Sequence, residues 1–326
     1  MTPEEIRAKL TTSLLGRRVE VHSQLGSTND LVREAARRGE PEGLVILAEE
    51  QLAGRGRLGR VWSAPPGCCI LCSVLLRPRF SPEDAFYLTI AAALAIYRAC
   101  KRVLPAEDVT TAPGTLSPQV SNHPPPISNH PPQISSHSSP LPNHLSQISN
   151  QPPQVFNQPH QVSNQPPRIS IKWPNDVLIN GSKVCGVLSE SEFRGGEWAF
   201  AVIGFGINVN LQPEQLAGLG GSATSLSIAL GHEVDRIALL ADVLSELESL
   251  YFALQNGQSS WVFQSWASAL ETVGRQVSVS EAGGSIIQGK ATRVDPDGAL
   301  VLDLGRGQER RVLAGDVTLS PTTKAD

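Results

Sequence analysis

Residues 169–191, ISIKWPNDVLINGSKVCGVLSES, are the stretch from which the fold can be predicted most directly. Its apolar runs are interrupted at Pro174-Asn175-Asp176 and again at Asn180-Gly181. An Asn-Gly pair between two apolar runs is a preferred sequence for a two-residue β-hairpin turn. The stretch therefore predicts neighbouring strands joined by tight turns.

Further strands and helices are predicted on both sides of this stretch. Apolar runs indicate strands at 44–48, 70–76 and 198–203, and helical periodicity indicates helices at about 29–38 and 235–254. Another helix is predicted before residue 105, with Ser81 as its N-cap and Pro82 at its first position. Because strands and helices are mixed without strict alternation, we predict an α+β fold rather than a doubly wound parallel sheet.

The chain changes character near residue 271, where short alternating strands begin, separated by glycine-rich or Pro-Asp-Gly turns. This pattern is typical of a small β-barrel. We therefore predict two domains, one over residues 1–270 and a small β-barrel over residues 271–326.

A seven-residue tandem repeat begins with VSNHPPP at residue 120 and ends with VSNQPPR at residue 168, with seven units and no gap. One apolar residue per unit, among many prolines, cannot bury enough surface to offset the entropy of ordering the chain. We predict that residues 106–168 are a disordered insertion within the first domain. Its histidines could chelate a metal in trans, but an expanded repeat tolerated at the surface is the favoured interpretation.

Composition and charge narrow the class of protein. The chain has 326 residues, 40% of them hydrophobic, which is enough for a substantial core, and its net charge of −4 gives no basic excess that would indicate nucleic-acid binding. Thr2, Pro3 and Glu5 predict a capped helix rather than a signal peptide. No run reaches the roughly 20 apolar residues needed to cross a bilayer. We expect a soluble, cytoplasmic protein.

Three of the five cysteines, Cys68, Cys69 and Cys72, are clustered. Neighbouring residues of a strand project to opposite faces, and no second ligand pair follows at the spacing of a zinc site. We therefore expect buried free thiols rather than a metal site.

A glycine-rich segment, Gly54-Arg55-Gly56-Arg57-Leu58-Gly59, formally matches the G-x-G-x-x-G dinucleotide fingerprint. A dinucleotide-binding loop must open a helix, yet Pro65, Pro66 and Gly67 follow within two turns. What remains is a flexible loop that carries Arg55 and Arg57, with Arg60 directly after it. Its amides and guanidinium groups suit an anionic, phosphate-bearing ligand.

Four motifs in this order resemble the catalytic domain of biotin protein ligases: STN at 27–29, AEEQLAGRGRLGRVW at 48–62, KWPNDVLINGSKVCGVL at 172–188 and GFGINVN at 204–210. The resemblance implies a fold related to class II aminoacyl-tRNA synthetases, followed by a C-terminal SH3-like β-barrel. It implies that ATP and biotin are substrates, with Mg²⁺, and that biotinyl-5'-AMP is the intermediate. The acceptor would be a lysine of a biotin carboxyl carrier protein, a subunit of acetyl-CoA carboxylase.

The resemblance also assigns roles to individual residues. Those that would bind biotin are Ser27, Thr28, Asn29, Gln51, Gly54, Arg55, Gly56, Arg57, Trp62, Lys183 and Gly186. Those on the ATP side would be Arg60, Lys172, Asp176 and Asn208, with Asp176 as a ligand of Mg²⁺. Lys183 and Arg57 would be catalytic, because a fixed cation offsets the repulsion between the biotin carboxylate and the α-phosphate.

Other interpretations of the same residues stay open at this point. Ser27 and Thr28 could be plain helix caps, Trp62 and Trp173 could be core residues, and a Pro-Asn-Asp turn needs no ligand. A lipoate or octanoate ligase is the nearest alternative activity, and a non-catalytic scaffold that binds partners through the repeat is the alternative from another class. About 26 residues precede STN, too few for a helix-turn-helix domain, so we expect no DNA binding, and a monomer or homodimer.

Overall fold

The computed structural model describes residues 1–105, 166–216, 222–281 and 284–320. The insertion predicted to be disordered, residues 106–168, lies outside the described residues except for 166–168. Residues 166–168 lead directly into a strand. Asn180 N–H donates to the Arg168 carbonyl and Arg168 N–H donates to Asn180 Oδ1, both at 2.8 Å, which extends the pairing of the two strands joined by the Pro174-Asn175-Asp176 turn.

A seven-stranded sheet forms the centre of the molecule. Its strands are β1 (Arg18–His22), β2 (Leu44–Ala48), β3 (Cys69–Leu76), β4 (Ile169–Lys172), β5 (Asp176–Ile179), β6 (Ser182–Arg194) and β7 (Glu197–Asn208). Their order is β1-β2-β3-β7-β6-β5-β4, and only the β1–β2 pair is parallel within the described residues. The prediction of a mixed α/β fold without a doubly wound parallel sheet is confirmed. Asn180 and Gly181 have φ angles of 51° and 76°, as a two-residue hairpin turn requires.

Helices cover both faces of this sheet. They are α1 (Pro3–Lys9), α2 (Thr28–Arg37), α3 (Phe86–Val103), α4 (Pro213–Leu216), α5 (Leu226–Leu230), α6 (Arg236–Gln255) and α7 (Ser259–Ala267). Because side chains alternate along a strand, Val45 and Leu47 pack in the main core with α3 and α6, whereas Leu44 and Ile46 pack against α2. Burial on both faces explains why β2 and β3 are nearly continuous apolar runs.

The predicted helix starts are only partly right. Thr2 and Glu5 form the expected capping box at α1. Ser81 caps a single 3-10 turn over Pro82–Ala85, and the α-helix begins later than predicted, at Phe86. The ring of Phe86 packs edge-on against Trp266 at 5.6 Å between centroids, a tertiary contact with no local sequence signal. Among the described helices, none has the length and apolar composition that spanning a membrane would need.

The C-terminal strands form a second, five-stranded antiparallel sheet. They are β8 (Gln276–Ser280), β9 (Ile286–Val294), β10 (Leu300–Asp303), β11 (Glu309–Val312) and β12 (Asp316–Leu319), in the order β11-β10-β9-β8-β12. The Pro-Asp-Gly turn before β10 contacts the rest of the molecule, since Trp173 Nε1 donates to the Gly298 carbonyl at 2.9 Å. The turn between β11 and β12 leads to the cavity described below.

The clustered cysteines agree with the expectation of free thiols. Cys69 and Cys72 are buried, whereas Cys68 is half-buried, and none of the three forms a disulfide. Burial raises the pKa of Cys69 to about 12. Within the described ranges no group of three or more acidic, histidine or cysteine side chains is arranged to hold a metal ion.

Candidate active site

One cavity brings together most of the residues predicted to act on substrate. Of the fifteen predicted site residues, twelve line it: Ser27, Thr28, Asn29, Gln51, Arg55, Gly56, Arg57, Arg60, Trp62, Asp176, Lys183 and Gly186. Gly54, Lys172 and Asn208 are not among the lining residues. Residues far apart in sequence therefore share one space, which the order of motifs alone could not establish.

The start of α2 forms the polar end of the cavity. Ser27 is the N-cap residue, but its side chain makes no capping hydrogen bond, so plain capping does not account for it. The backbone N–H of Thr28 donates to Gln51 Oε1 at 2.7 Å, which fixes the orientation of the Gln51 amide. The hydroxyls of Ser27 and Thr28 and the amide of Gln51 therefore lie together at the start of the helix, where the first N–H groups have no intrahelical partners.

Asn29 is held from both sides by the protein. Its Nδ2 donates to Glu190 Oε2 at 2.6 Å, and its Oδ1 lies 2.5 Å from Ser73 Oγ. Gly204 permits this packing, because a Cβ atom there would lie 2.0 Å from Asn29 Oδ1. Both ends of the Asn29 amide are therefore engaged before any ligand enters.

The floor of the cavity is a part of the sheet that carries no side chains, at Gly186 and Gly206, and the indole of Trp62 lies over it. Gly186 on β6 pairs with Gly206 on β7. A Cβ atom on Gly206 would lie 2.4 Å from the Trp62 ring, and one on Gly186 would lie 3.0 Å from Lys183 Nζ. Glycine is thus required at Gly206 for the close approach of an aromatic side chain.

The glycine-rich segment is a compact loop and does not open an α-helix, as the prolines that follow it predicted. Trp62 N–H donates to the Gly54 carbonyl at 2.9 Å, and Gly56 N–H donates to the Arg60 carbonyl at 2.7 Å. Between them lies one 3-10 turn over Arg57–Gly59, and no α-helix starts here. A Cβ atom on Gly54 would lie 2.3 Å from the Trp62 carbonyl oxygen, so the loop's own closure accounts for this glycine.

The three arginines of the loop have different partners. Arg55 makes a bidentate pair with Asp30, with both distances 2.7 Å, and this hydrogen bonding lowers the pKa of Asp30. Arg60 forms an ion pair with Asp316 at the start of β12. Arg57 donates instead to neutral oxygens, Asn175 Oδ1 at 3.1 Å and the Gly315 carbonyl at 3.4 Å. The second sheet therefore contributes directly to the edge of the cavity.

Lys183 faces the cavity from the predicted hairpin and shares a carboxylate with Lys172. Lys183 Nζ lies 2.7 Å from Asp176 Oδ1, and Lys172 Nζ lies 3.2 Å from Asp176 Oδ2. Burial alone would raise the pKa of Asp176, but the two ammonium groups hold it below its usual range. Since both carboxylate oxygens are engaged, this arrangement does not fit a resident Mg²⁺ site at Asp176.

Asn208 supports the surroundings of Lys183 rather than lining the cavity. Its Nδ2 donates to the Thr224 carbonyl at 3.1 Å. The Thr224 N–H in turn donates to the Lys183 carbonyl, and the Lys183 N–H donates to the Ser222 carbonyl, both at 2.9 Å. Asn208 thus fixes the segment that backs the lysine.

Several residues of the site were not predicted from the sequence. Gly204 and Gly206 had a usable signal, because two glycines inside an apolar strand often mark a close approach. Asn175 stands inside the quoted motif at 172–188, but its contact with Arg57 was not predicted. Ser73 and Asp316 had no signal, since their contacts span long sequence separations, such as the 256 residues between Arg60 and Asp316.

Comparison with known proteins gives consistent results across the chain. Residues 21–208 match the model of the Biotin/lipoate A/B protein ligase family, and residues 272–320 match the Biotin protein ligase C terminal domain. A biotin--[acetyl-CoA-carboxylase] ligase from Mycobacterium tuberculosis is 30% identical over 303 residues, covering 92% of this chain and 88% of that protein. The bifunctional ligase/repressor BirA of Bacillus subtilis is 27% identical over 320 residues, covering 98% of this chain and 79% of that protein.

Solved structures agree in fold. Biotin protein ligase from Aquifex aeolicus in complex with biotin and ATP has a TM-score of 0.59 at 20% identity, covering 93% of this chain and 99% of that chain. The Leishmania major enzyme in complex with biotinyl-5-AMP has a TM-score of 0.51 at 18% identity, covering 91% and 99%. At these identities the likeness concerns the fold alone.

Proposed function

The chain belongs to the Biotin/lipoate A/B protein ligase family, and from that premise we propose that it is an ATP-dependent biotin protein ligase. The enzyme would join biotin to ATP as biotinyl-5'-AMP and then transfer biotin to a lysine of a biotin carboxyl carrier protein. The names of the relatives, among them two biotin--[acetyl-CoA-carboxylase] ligases, support this acceptor.

One observation carries the proposal: the cavity has an uncharged polar end and a cationic side. Ser27, Thr28 and Gln51 supply hydroxyl and amide groups at one end, and Arg57 and Lys183 supply positive charge elsewhere in the same space. A ureido ring needs hydrogen-bonding partners without charge, whereas a carboxylate beside a phosphate needs cations. Lipoate and octanoate carry no ureido group, so the polar end favours biotin over these alternatives.

In the first half-reaction, a carboxylate oxygen of biotin attacks the α-phosphorus of ATP and the bond to pyrophosphate breaks. Two anions must approach each other, and we assign Lys183 and Arg57 to offset their repulsion. Asp176 keeps Lys183 at a fixed position. We assign Arg60, Lys172 and Asn208 to the ATP side, with Lys172 and Asn208 acting from behind the cavity wall.

In the second half-reaction, the neutral amine of the acceptor lysine attacks the carbonyl carbon of the mixed anhydride. The bond to AMP breaks, an amide forms, and the amine gives up a proton. The intermediate is already activated, so positioning and exclusion of water are the main contributions of the protein. Trp62 over the Gly186–Gly206 strip would supply apolar cover for this step.

The organisation that goes with this function comprises a catalytic domain over residues 1–270, related to class II aminoacyl-tRNA synthetases, and an SH3-like barrel over residues 271–326. The five-stranded sheet supports the second assignment. The cytoplasmic location, the monomeric or homodimeric state, the absence of operator binding and the use of Mg²⁺ stay predictions.

The test is to incubate the protein with biotin and MgATP and to measure pyrophosphate and biotinyl-5'-AMP. Both products are expected with biotin, and neither with lipoate or octanoate at the same concentration. Adenylation of octanoate in preference to biotin would contradict the proposal. Transfer is then measured with a biotin carboxyl carrier domain and with the same domain carrying arginine in place of its acceptor lysine.

A further inference from the structure

The glycine-rich loop, residues 54–62, is a small unit closed by its own backbone. Two backbone hydrogen bonds and an isolated β-bridge between Arg55 and Val61 join its two sides. Most of its residues line the cavity. How firmly the loop covers the cavity therefore depends on the contacts that join it to the rest of the chain.

The side chains of its three arginines supply these contacts, and they reach different elements. Arg57 contacts the turn between β4 and β5, and both Arg57 and Arg60 contact the turn at the start of β12. Arg55 reaches in another direction, to the first turn of α2. Within the described residues, Arg55 is the one residue of the loop whose side chain hydrogen-bonds to α2.

The partner of Arg55 is Asp30, which directly follows the STN motif and does not line the cavity. Arg55 Nη1 and Nη2 each lie 2.7 Å from one oxygen of Asp30, and this bidentate geometry fixes the plane of the guanidinium as well as its position. Arg33, one turn further along α2, also pairs with Asp30. Glu190 Oε1 lies 3.2 Å from Arg33 Nη1, and Glu190 Oε2 lies 3.5 Å from Arg55 Nη2. The four charges alternate, so Asp30 is itself held in place.

This arrangement suits Arg55 to fixing the loop rather than to binding an anion. Both terminal nitrogens of its guanidinium are directed at Asp30. A phosphate could replace that carboxylate only by breaking two charge-assisted hydrogen bonds. Arg57 differs, because its hydrogen-bond partners are neutral oxygens.

We propose that Asp30 is a positioning residue that holds Arg55 and so keeps the glycine-rich loop closed against the polar end of the cavity, where the loop retains bound biotin and biotinyl-5'-AMP. Thr28, assigned to the ureido ring, precedes Asp30 by two residues on the same helix. Because Asp30 does not line the cavity, its substitution removes no group that would touch the ligand. This inference rests on the proposed use of biotin.

The first measurement needs no ligand. Trypsin cleaves after Arg57 and Arg60 when the loop opens, so the cleavage rate at these two bonds, followed by mass spectrometry of the peptides, reports the open fraction. Asp30→Asn should raise this rate about three- to fivefold, the upper range for a partly exposed ion pair, because the pair is bidentate. Glu34→Gln is the matched control, since Glu34 is another carboxylate of α2 and pairs with Arg38 rather than with the loop. It should leave the rate within about 1.5-fold of wild type.

A double-mutant cycle distinguishes the proposed contact from a merely structural role of Asp30. Arg55→Met should raise the cleavage rate about as much as Asp30→Asn, and the double variant should raise it no further, because either change already removes the pair. Effects that multiply in the double variant would show that the two residues act independently and would overturn the inference. A cleavage rate of Asp30→Asn within about 1.5-fold of wild type would overturn it as well.

The second measurement is the dissociation rate of radiolabelled biotin during a chase with unlabelled biotin, without ATP. This rate should rise in Asp30→Asn, in Arg55→Met and in the double variant by the same factor as the cleavage rate. Faster cleavage with unchanged dissociation of biotin would show that the loop does not retain the ligand, and would overturn the inference. A protein that binds biotin but forms no adenylate with MgATP would refute the ligase function alone, whereas the two rates still decide the role of Asp30.

Discussion

Lys183 and Lys172 offer a paired test of the catalytic assignment, because they contact the same carboxylate but only Lys183 lines the cavity. We compare Lys183→Met with Lys172→Met, which remove the charge and keep the length of the side chain. Either change leaves Asp176 with one ammonium partner. The two variants should therefore lose similar stability, on the order of 1–2 kcal/mol after allowance for solvent screening of partly exposed lysines.

Their activities should differ. A fixed group that stabilises charge in the transition state is worth about 2.7–4 kcal/mol, so Lys183→Met should lower the rate of adenylation about 10²- to 10³-fold. Lys172→Met should lower it less than about tenfold, because Lys172 acts through Asp176. The rate is measured as single-turnover formation of biotinyl-5'-AMP, and stability by urea unfolding. An adenylation rate of Lys183→Met within threefold of wild type would refute the assignment. Equal losses of this rate in the two variants would mean that catalysis depends on the ion pairs of Asp176 with both lysines rather than on Lys183 alone.

Three further predictions concern neighbouring contacts. The lysines hold the pKa of Asp176 below its usual value. The stability that this ion-paired carboxylate contributes is therefore present above the unfolded pKa of about 4 and is lost as the pH falls through the lower folded pKa. Asp176→Asn should abolish this loss at acid pH and should lower the free energy of unfolding at pH 7 by about 3 kcal/mol, measured by urea unfolding. Gly206→Ala should displace the Trp62 ring, shift its fluorescence and destabilise the fold by about 1–3 kcal/mol; an unchanged spectrum and biotin affinity would contradict the close approach. Asp316→Asn should change stability by less than about 1 kcal/mol but lower the KM for ATP about two- to tenfold, because a phosphate at Arg60 then no longer competes with a carboxylate. An unchanged KM would separate Arg60 from ATP binding.

Local sequence patterns predicted the elements whose boundaries are set locally. The Asn180-Gly181 turn, the capping box at Thr2 and strand β2 at Leu44–Ala48 all lie where they were predicted. Each depends on residues within a few positions of one another, through backbone conformation or alternation. Ser81 and Pro82 do begin a helical turn as predicted, but it is a 3-10 turn, and α3 follows it from Phe86, whose ring packs against Trp266 of a distant helix.

The same distinction applies to the site. The arginines of the glycine-rich loop could be identified as candidates for anion binding from their own chemistry, whereas Lys183 was assigned only through the resemblance to biotin protein ligases. Their partners could not be identified, because Asp316, for example, reaches Arg60 only once the two sheets are assembled. The assignment of Asp176 to Mg²⁺ is an example, since a carboxylate in a turn does not indicate that two lysines will contact its two oxygens.

Arg57 differs from the other cations of the cavity in the kind of partner it has. Three cations are each paired with a carboxylate: Arg55 with Asp30, Arg60 with Asp316 and Lys183 with Asp176. Within the described residues Arg57 contacts only neutral oxygens, and its burial lowers its pKa, which means that its charged form is poorly solvated. An incoming phosphate must compete with a carboxylate at the three paired cations, whereas Arg57 hydrogen-bonds to no carboxylate within the described residues, although the charges of Asp176 and Asp316 act on it from further away. Arg57 is therefore the position at which an anionic substrate gains most on entering, and Arg60 and Lys183 would engage as it displaces their carboxylates.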